Sequence, residues 1–362
     1  MQTIHDLPTP ALLLDLDVLE ENLRRTSERA RGLGARLRPH VKTHKCVEIA
    51  LGQRTLGAEG ITVATLDEAR VFAAAGFEDI TWAFPVAPAR AAEAAELARS
   101  IRLGVLVDAP EALEALEAAD APFRVWLKID CGNGRAGLHP DDPRVAELWT
   151  RAAESSALEA AGILSHSGHA YRARSAGHLR RIADAEPALM ARLRERLARE
   201  VGVSPEVSVG STPAMARVRD LAGADEVRPG NYALHDFTQV ALGTCGPGDC
   251  AATVLATVVS SRPAAGTSVI DAGALALSAD PGPAHAPGMG RLFADGSRDT
   301  LRQNARLVSL SQEHGIVSEA LPLGTRVRVL PNHSCLAVPC FGAYHVVRGE
   351  EVLDRWAIHR AR

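Results

Sequence analysis

The stretch GITVATLDEARVFAAAG, residues 60–76, contains one complete strand–helix unit. Its first part is a short run rich in β-branched residues, and its second part has apolar residues at helical spacing and ends at a glycine. Units of the same kind precede and follow it, and roughly eight of them fill about 240 residues. This rhythm and length predict a (β/α)8 barrel of the TIM type, with a doubly wound open sheet as the main alternative.

The pattern changes at GTCGPGDC, residues 243–250, which is rich in turn-forming residues. Short β-branched runs with few helical signals follow, and they are typical of a β-rich domain. We therefore expect a barrel over residues 1–244 and a β-rich domain over residues 245–362. Inside the second domain, the Gly- and Pro-rich stretch 279–299 is expected to form one long loop.

The composition is that of an ordinary soluble globular protein, with 46% hydrophobic and 23% charged residues among 362. A net charge of −4 gives no indication of nucleic acid or of an acidic membrane as partner. No apolar run approaches the ~18 residues that a membrane span needs, and the start of the chain lacks the basic segment of a signal peptide. The six cysteines are then expected to be reduced thiols of a cytoplasmic protein.

The segment RPHVKTHK, residues 38–45, concentrates basic side chains at the end of a predicted strand. If that strand belongs to a barrel, Lys42 stands at its carboxyl end, where side chains usually face the active site. Burial and neighbouring positive charge both lower the pKa of a lysine ammonium, and this makes the amine a good nucleophile for an aldehyde. On composition alone, a solvated basic loop without chemistry is an equally good interpretation.

The glycine-rich segment KIDCGNGRAG, residues 128–137, has the spacing G-x-G-x-x-G. A dinucleotide site would require a helix that begins at these glycines and an acidic residue about 20 positions later. A loop that contains proline, LHPDDPR, follows instead. The sequence therefore does not predict a Rossmann dinucleotide site here.

Two later segments, VSVGSTPAM and RPGNYALHD, combine glycines with hydroxyl and amide side chains. Backbone N–H groups at a helix that begins at Pro213, together with the hydroxyls of Ser211 and Thr212, would form an anion site. The last two units of a barrel often bind a phosphate group in this way. The alternative is an ordinary helix cap followed by a turn.

The run VLPNHSCLAV places His333 and Cys335 two positions apart, so in a strand both side chains would project to one face. Imidazole and thiolate are good zinc ligands, and two of them leave coordination positions open for water or substrate. A core histidine beside a buried thiol is the default interpretation of this spacing.

A rival metal site would use four thiolates, from the pairs Cys245–Cys250 and Cys335–Cys340. Both pairs have the spacing C-x4-C. Structural zinc sites prefer a spacing of ~2–4 between paired cysteines, which makes the rival site the less favoured interpretation.

The segments TPALLLDLDVLEENL, LRPHVKTHK and GITVATLDEA follow one another in an order that resembles the fold-type III pyridoxal phosphate enzymes. More closely, the chain resembles the D-serine dehydratase and D-threonine aldolase branch of the alanine-racemase-like superfamily. The resemblance extends along essentially the whole chain. It implies that Lys42 carries pyridoxal 5'-phosphate covalently, that the substrate is a small D-amino acid and that the enzyme is a homodimer.

The same resemblance implies roles for particular side chains. The H-x-C pair would bind a divalent metal, and zinc is the expected ion because the dehydratases carry His-x-Cys and the aldolases His-x-Asp. Arg135 would lie near the phenolic oxygen of the cofactor and His166 against its ring, whereas Tyr171 would reach the ring or the substrate. The phosphate and ring nitrogen would be held by Ser211, Thr212, Arg228, Gly230, Asn231 and Tyr232.

The implied reaction removes water and ammonia from a D-3-hydroxy amino acid of the D-serine or D-threonine type and yields a 2-oxo acid. The alternative is an aldolase that cleaves the same substrates to glycine and an aldehyde. A racemase and a non-catalytic carrier of the cofactor are further alternatives, and Lys128 occupies the position at which alanine racemases carry a modified lysine. Leu275 departs from the family pattern, so the substrate side chain stays open.

Overall fold

A computed structural model describes residues 2–360 and divides them into two compact units. The β unit consists of residues 2–25, 43–49 and 231–360, and the barrel unit consists of residues 26–42 and 50–230. These bounds differ from the expected division after residue 244. The difference arises because the first strand of the chain and the residues that follow Lys42 pack with the C-terminal part.

Strands and helices occur in the following order. The strands are β1 (Ala11–Asp15), β2 (Arg36–Leu37), β3 (Ile61–Val63), β4 (Asp79–Pro85), β5 (Arg102–Val107), β6 (Phe123–Lys128), β7 (Leu158–Leu164), β8 (Glu206–Val209), β9 (Glu226–Val227), β10 (Ala252–Arg262), β11 (Thr267–Ile270), β12 (Gly290–Phe293), β13 (Leu301–Leu310), β14 (Gly315–Val317), β15 (Arg326–Leu330), β16 (Ala343–Arg348) and β17 (Glu351–Ala357). The helices are α1 (Leu16–Gly32), α2 (Val47–Thr55), α3 (Leu66–Ala74), α4 (Ala91–Ala98), α5 (Pro110–Ala118), α6 (Arg144–Glu154), α7 (Ala176–Val201), α8 (Thr212–Arg217), α9 (Phe237–Ala241), α10 (Ala274–Leu277) and α11 (Ser334–Ala337).

The barrel unit contains eight parallel strands in the order β2-β9-β8-β7-β6-β5-β4-β3. A parallel bridge between His40 and Thr62 joins the region after β2 to β3 and closes the sheet. The central strands are rich in apolar residues, and every residue of β6 is buried, as expected for strands covered on both faces. The predicted (β/α)8 barrel is therefore confirmed.

Strand β1 is not part of the barrel, contrary to the expectation that the barrel occupies residues 1–244. It pairs antiparallel with β10 and parallel with β16, in the nine-stranded sheet β11-β14-β13-β12-β15-β10-β1-β16-β17 of the β unit. All five residues of β1 are buried. An apolar run of this length fits the interior of either sheet, so periodicity does not decide between them.

The β unit confirms the β-rich C-terminal part, since its sheet is antiparallel except for the pair β1–β16. The expectation of one long loop over residues 279–299 is wrong, because β12 lies within it and pairs with β13 and β15. No helix within residues 2–360 is long and apolar enough to cross a membrane.

Arg38 shows that part of the basic segment has a structural role. Its guanidinium is buried and donates to Glu226 at 2.7 Å and to Asp79 at 2.6 Å. Burial opposes the charge, yet the two carboxylates raise the pKa of Arg38 above its ordinary value. This ion cluster fixes the chain where it leaves β2, immediately before the lysine segment.

Candidate active site

Lys42 lies in a turn five residues beyond the end of β2, on the carboxyl side of the strand. It is half-buried, and its backbone N–H donates to Nδ1 of His40 at 3.5 Å. Its charge acts on the imidazoles of His40 and His166, together with the charge of Arg228. The barrel thus brings Lys42, two histidines and a buried arginine together at the carboxyl ends of its strands.

The two imidazoles are held neutral. Burial lowers the pKa of His40 and of His166 well below the ordinary value, and the charges of Lys42 and Arg228 lower both further. In His40, Nδ1 accepts a hydrogen bond, so the proton of the neutral ring is on Nε2. In His166, Nδ1 lies 3.1 Å from the carbonyl oxygen of Gly210 and carries the proton.

Arg228 is a buried cation at the end of β9. Its Nε donates to Oγ of Ser208 at 2.6 Å, and its Nη2 donates to the carbonyl oxygens of Ser208 and Ser165. These hydrogen bonds use Nε and Nη2 of the guanidinium, so the barrel fixes Arg228 at the end of β9.

The glycine-rich segment 128–137 forms a loop rather than a helix start. The carboxylate of Asp130 accepts from three successive backbone N–H groups, those of Gly132, Asn133 and Gly134. Gly137 has a φ of +105°, and a Cβ there would lie 2.8 Å from the carbonyl carbon of Ile129. The glycines thus serve a tight loop, which agrees with the rejection of a dinucleotide site.

Arg135 lies in this loop, and its side chain is exposed. Its charge contributes to the low pKa of His166, so it is electrostatically part of the same group. Lys128, at the end of β6, is buried and donates to the carbonyl oxygen of Ile129 at 2.9 Å. Burial, followed by the charge of Arg228, lowers the pKa of Lys128 to about 8.

Ser211 and Thr212 are buried at the start of α8. Oγ of Ser211 accepts from the N–H of Ala214 at 3.4 Å and lies 3.2 Å from Oγ of Ser167. Gly210, just before them, has a φ of +106°. Tyr171 lies in a short 3-10 helix over Gly168–Arg172 and is half-buried.

Asn231 and Tyr232 are buried residues of the β unit, directly after Gly230 in the chain. Nδ2 of Asn231 donates to Asp236 at 2.6 Å and to Oγ of Ser334 at 2.8 Å. The backbone N–H of Ser334 also donates to Asp236, at 3.0 Å. This network supports the segment that carries the H-x-C pair.

His333 and Cys335 do not lie in a strand, contrary to the expectation from their spacing, since β15 ends at Leu330. His333 caps the short helix α11, and Cys335 is the second residue of that helix. Sγ of Cys335 lies 3.2 Å from Oγ1 of Thr43 and 3.9 Å from Nδ2 of Asn231. Thr43 is the residue that follows Lys42 in the chain.

Asp280 is the partner of His333, with its Oδ2 3.2 Å from Nδ1. Burial disfavours the charged imidazole, but Cys335 and Asp280 outweigh it and raise the pKa of His333 to about 11. An imidazole whose Nδ1 is held by a carboxylate keeps Nε2 for a metal, which is the usual arrangement around metal-bound histidines. Asp280 comes from the segment that was expected to be an unstructured loop.

No cluster of three or more His, Cys, Asp or Glu side chains within residues 2–360 is arranged to hold a metal ion. The rival site of four thiolates is therefore wrong: Cys245 and Cys250 interact with each other, whereas Cys335 interacts with His333. Two protein ligands, fewer than the three that are typical of catalytic zinc, leave the other positions to water or substrate. The donor set of His333 and Cys335 fits an open zinc site.

The barrel residues fit pyridoxal 5'-phosphate. A primary amine at Lys42, a fixed guanidinium at Arg228 and buried hydroxyls at Ser211 and Thr212 are the groups that would bind an aldehyde, a ring nitrogen and a phosphate.

Sequence reasoning missed two carboxylates, the buried Glu186 and the half-buried Asp280. Glu186 of α7 accepts hydrogen bonds from Ser165 and Ser167, each at 2.7 Å. The signal for Glu186 was available, because it stands at a helical position whose neighbours in the repeat, such as Ile182 and Met190, are apolar and buried. Asp280 had no such signal, since its partner is 53 residues away.

A parallel barrel with a lysine beyond its first strand, followed by an antiparallel sheet, defines an enzyme of the alanine-racemase-like fold that depends on pyridoxal phosphate. Comparison with known families agrees. Residues 14–235 match the family described as "Alanine racemase, N-terminal domain", and residues 251–347 match the family described as "Putative serine dehydratase domain". The chain belongs to the D-serine dehydratase and D-threonine aldolase-like family of fold-type III enzymes, which are lyases dependent on pyridoxal phosphate.

Three characterised relatives span nearly the whole chain. A D-threo-3-hydroxyaspartate dehydratase from a Delftia species is 36% identical over 98% of both chains. A D-serine dehydratase of Dictyostelium discoideum is 34% identical over 96% of this chain and 95% of the relative. A D-threonine aldolase from an Arthrobacter species is 32% identical over 97% of this chain and 92% of the relative.

The solved structure of the Delftia dehydratase superposes with a TM-score of 0.93 at 35% identity and covers 99% of both chains. That enzyme has also been solved as a histidine-to-alanine variant and as a cysteine-to-alanine variant in a metal-free form. The two substituted residues of the relative lie two positions apart, the spacing of the H-x-C pair in this chain.

Proposed function

We propose that this protein is a dehydratase for D-3-hydroxy amino acids, dependent on pyridoxal 5'-phosphate and zinc, which releases a 2-oxo acid and ammonia. One observation carries the proposal. The charges of Lys42 and Arg228 both act on the neutral imidazole of His166, and the residue after Lys42, Thr43, contacts Sγ of Cys335. The amine for the cofactor and the thiolate for the metal are therefore linked through adjacent residues of one turn.

The barrel residues would bind the cofactor and move the proton. When bound, pyridoxal phosphate withdraws electrons from the Cα of an amino acid. Lys42 would hold its aldehyde carbon and, once released by the substrate, would take the proton from Cα. His40 and His166 stay neutral and so add no charge beside Lys42. Arg228 would donate to the ring nitrogen, and Ser211 and Thr212 would bind the phosphate.

Arg135, Tyr171, Gly230, Asn231 and Tyr232 stay predictions as cofactor-binding residues. The side chain of Arg135 is exposed. We propose that it acts on the phenolic oxygen of the cofactor through its positive charge, which also acts on His166. The structure gives Asn231 a different task, because its amide supports Asp236 and Ser334. We propose that its backbone N–H, rather than its side chain, serves the phosphate.

The H-x-C pair would hold zinc. When bound, zinc supplies a Lewis acid for an oxygen ligand such as the 3-hydroxyl group of the substrate. Cys335 favours zinc over a harder ion because thiolate is a soft ligand. Asp280 would fix the orientation of His333, and Thr43 would position the sulfur through the 3.2 Å contact.

A D-threonine-type aldolase is the second candidate, and the similarity to the Arthrobacter aldolase favours it. Both reactions would use the amine of Lys42 and the metal ligands His333 and Cys335. They differ in whether the C–O bond or the Cα–Cβ bond breaks. The His-x-Cys pair is the observation that favours the dehydratase.

The test is to incubate the protein with D-serine, D-threonine and D-threo-3-hydroxyaspartate and to measure 2-oxo acid, ammonia and glycine. We expect 2-oxo acid and ammonia in equal amounts, and a loss of turnover when a chelator removes zinc. Glycine as the main product would establish the aldolase instead. Racemised substrate, or no turnover of any of the three, would exclude both lyases.

The variant K42A should lose the visible absorbance of the bound cofactor and at least ~10³-fold in turnover, because the covalent link and the base are removed together. The matched control is K45A, which removes a lysine from the same segment and should keep both signals. Cofactor absorbance that survives in K42A would contradict the assignment. The homodimer and the cytoplasmic location stay predictions, and sedimentation of the purified protein checks the first.

A further inference from the structure

Cys245 and Cys250 are two free thiols at the two ends of one tight turn. A short 3-10 helix, Pro247–Asp249, lies between them and folds the segment back on itself. Cys250 is 4% exposed and packs with Phe237 and Leu330, and the half-buried Cys245 packs against the same cluster. Neither thiol has a role in the proposed reaction.

His235 is the third side chain of a group that contains the two thiols, Cys245 and Cys250. It is buried and has a φ of +49°, a backbone conformation that is uncommon outside glycine. Its imidazole interacts with the Cys245 side chain, and its Nδ1 is buried without a hydrogen-bond partner among residues 2–360. The nearby charges are Asp249, which pairs with Arg25 at 2.6 Å, and the buried Asp236.

The two thiols have opposite acidities. Hydrogen bonding with Cys250 outweighs burial and, with the help of His235, lowers the pKa of Cys245 to about 6. Burial raises the pKa of Cys250 well above the ordinary value. The two pKa shifts favour a thiolate at Cys245 and a protonated thiol at Cys250, and the two side chains pack in one cluster at the ends of one turn. This is the arrangement found in redox-active cysteine pairs.

Three of the other four cysteines lack this character. Burial raises the pKa of Cys131 to about 12 and also raises the pKa of Cys46 and of Cys340. The fourth, Cys335, is the proposed metal ligand. Selective oxidation of the Cys245 pair is thus expected, because oxidants attack thiolates rather than thiols.

We propose that Cys245 and Cys250 form a modification site for peroxides, at which oxidation closes a reversible disulfide. The Cys245 thiolate attacks one peroxide oxygen, the O–O bond breaks, and Cys245 becomes a sulfenic acid, while the hydroxide or alkoxide that leaves takes a proton from solvent. The Cys250 sulfur then attacks the sulfur of Cys245 and displaces hydroxide, which takes the proton of the Cys250 thiol and leaves as water. Two thiols are oxidised, and one peroxide is reduced.

The modification acts on the turn that supports the H-x-C pair. The backbone N–H of Ala251 donates to the carbonyl oxygen of Leu234 at 2.8 Å, so the cysteine turn and the segment Asn231–Asp236 are directly joined. In that segment Asn231 and Asp236 hold Ser334, the residue between His333 and Cys335. A disulfide takes the thiolate away from His235 and so disturbs this support, a consequence that rests on the proposed function.

The experiment titrates the reduced holoenzyme with hydrogen peroxide and maps thiols after alkylation. The tryptic peptide 220–291 contains both cysteines and no other, so the disulfide is detected as a loss of two hydrogen atoms from one peptide. We expect this product at one equivalent of peroxide, before the other four cysteines react, and reversal by dithiothreitol. Oxidation of any other cysteine first, or over-oxidation of Cys245 without the disulfide, would overturn the proposal.

The variant C245S should abolish the modification, whereas C340S, which removes a thiol of raised pKa from the same unit, should leave it unchanged. For the wild-type protein we expect turnover to fall at least ~10-fold on oxidation and to recover on reduction. Full turnover of the oxidised protein would exclude the effect on the metal pair. The peptide masses are read without any assay of activity, so they stand even if the proposed function fails.

Discussion

Asp280 contacts His333, one of the two proposed metal ligands. Oδ2 of Asp280 lies 3.2 Å from Nδ1 of His333, and both side chains are half-buried. Asp280 is itself fixed by the N–H of Gly282 at 2.8 Å, and its own carbonyl oxygen accepts from Asn332 at 2.8 Å. A carboxylate held in this way orients the imidazole before a metal arrives.

Replacement of Asp280 by asparagine should weaken zinc binding about 10- to 100-fold, because a neutral amide orients and polarises the imidazole less than a carboxylate does. Competition of the bound zinc with a chromogenic chelator measures this change. The control is D295N at an exposed aspartate of the same unit, which should keep wild-type affinity. Equal affinity in D280N and wild type would show that His333 needs no partner, while the cofactor absorbance should be wild-type in both variants.

Residue by residue, the local sequence indicated the groups that we propose to react and missed two carboxylates, one that contacts His333 and one that accepts from Ser165 and Ser167. Lys42 and the H-x-C pair could be found because their chemistry shows in short segments. Asp280 and Glu186 could not be assigned partners, because their contacts join positions far apart in the chain. The projection of the H-x-C pair was wrong because the spacing of a strand was assumed where a helix begins.

At the scale of elements, the alternation of strands and helices predicted the barrel but not which strands close it. The run at β1 has the same apolar character as the barrel strands, and only its pairing with β10 and β16 assigns it to the other sheet. The eighth barrel strand is instead β9, which lies between β2 and β8 and has two residues, too short for a periodicity to show. The sheet that a strand joins depends on pairing partners far away in the chain, and local sequence patterns do not specify those partners.

Gly162 allows the close approach of the barrel strands β7 and β8. It lies in β7 opposite Glu206 of β8, and an added Cβ would fall on the Glu206 backbone, 2.7 Å from its carbonyl carbon. The backbone of neither strand can yield without loss of ladder hydrogen bonds. G162A should therefore lower the free energy of unfolding by about 3 kcal/mol.

Urea unfolding followed by circular dichroism measures this loss. G32A is the matched control, since Gly32 ends α1 in the same unit and a Cβ there meets nothing within 4 Å. That variant should be neutral or slightly stabilising, because alanine has the higher helix propensity. A G162A protein as stable as G32A would show that the two strands can separate freely.

At the scale of the whole molecule, a buried charge makes stability depend on pH. Lys128 is 6% exposed, and burial lowers its pKa to about 8 from the model-compound value of 10.5. Between these two pH values the unfolded chain binds a proton at Lys128 that the native chain does not. The contribution of Lys128 to the free energy of unfolding therefore rises as the pH rises from about 8 to 10.5, by up to about 3 kcal/mol.

The variant K128M should lack that rise, so the difference in unfolding free energy between wild type and K128M should shift in favour of wild type as the pH is raised. Tryptophan fluorescence is a suitable probe, because Trp82, Trp126 and Trp149 are buried in the barrel unit and report its unfolding. K45M controls for the loss of a lysine and should follow the wild-type curve. Parallel curves for wild type and K128M would mean that Lys128 keeps an ordinary pKa despite its burial, and that the charges of Arg228 and Glu186 around it compensate each other.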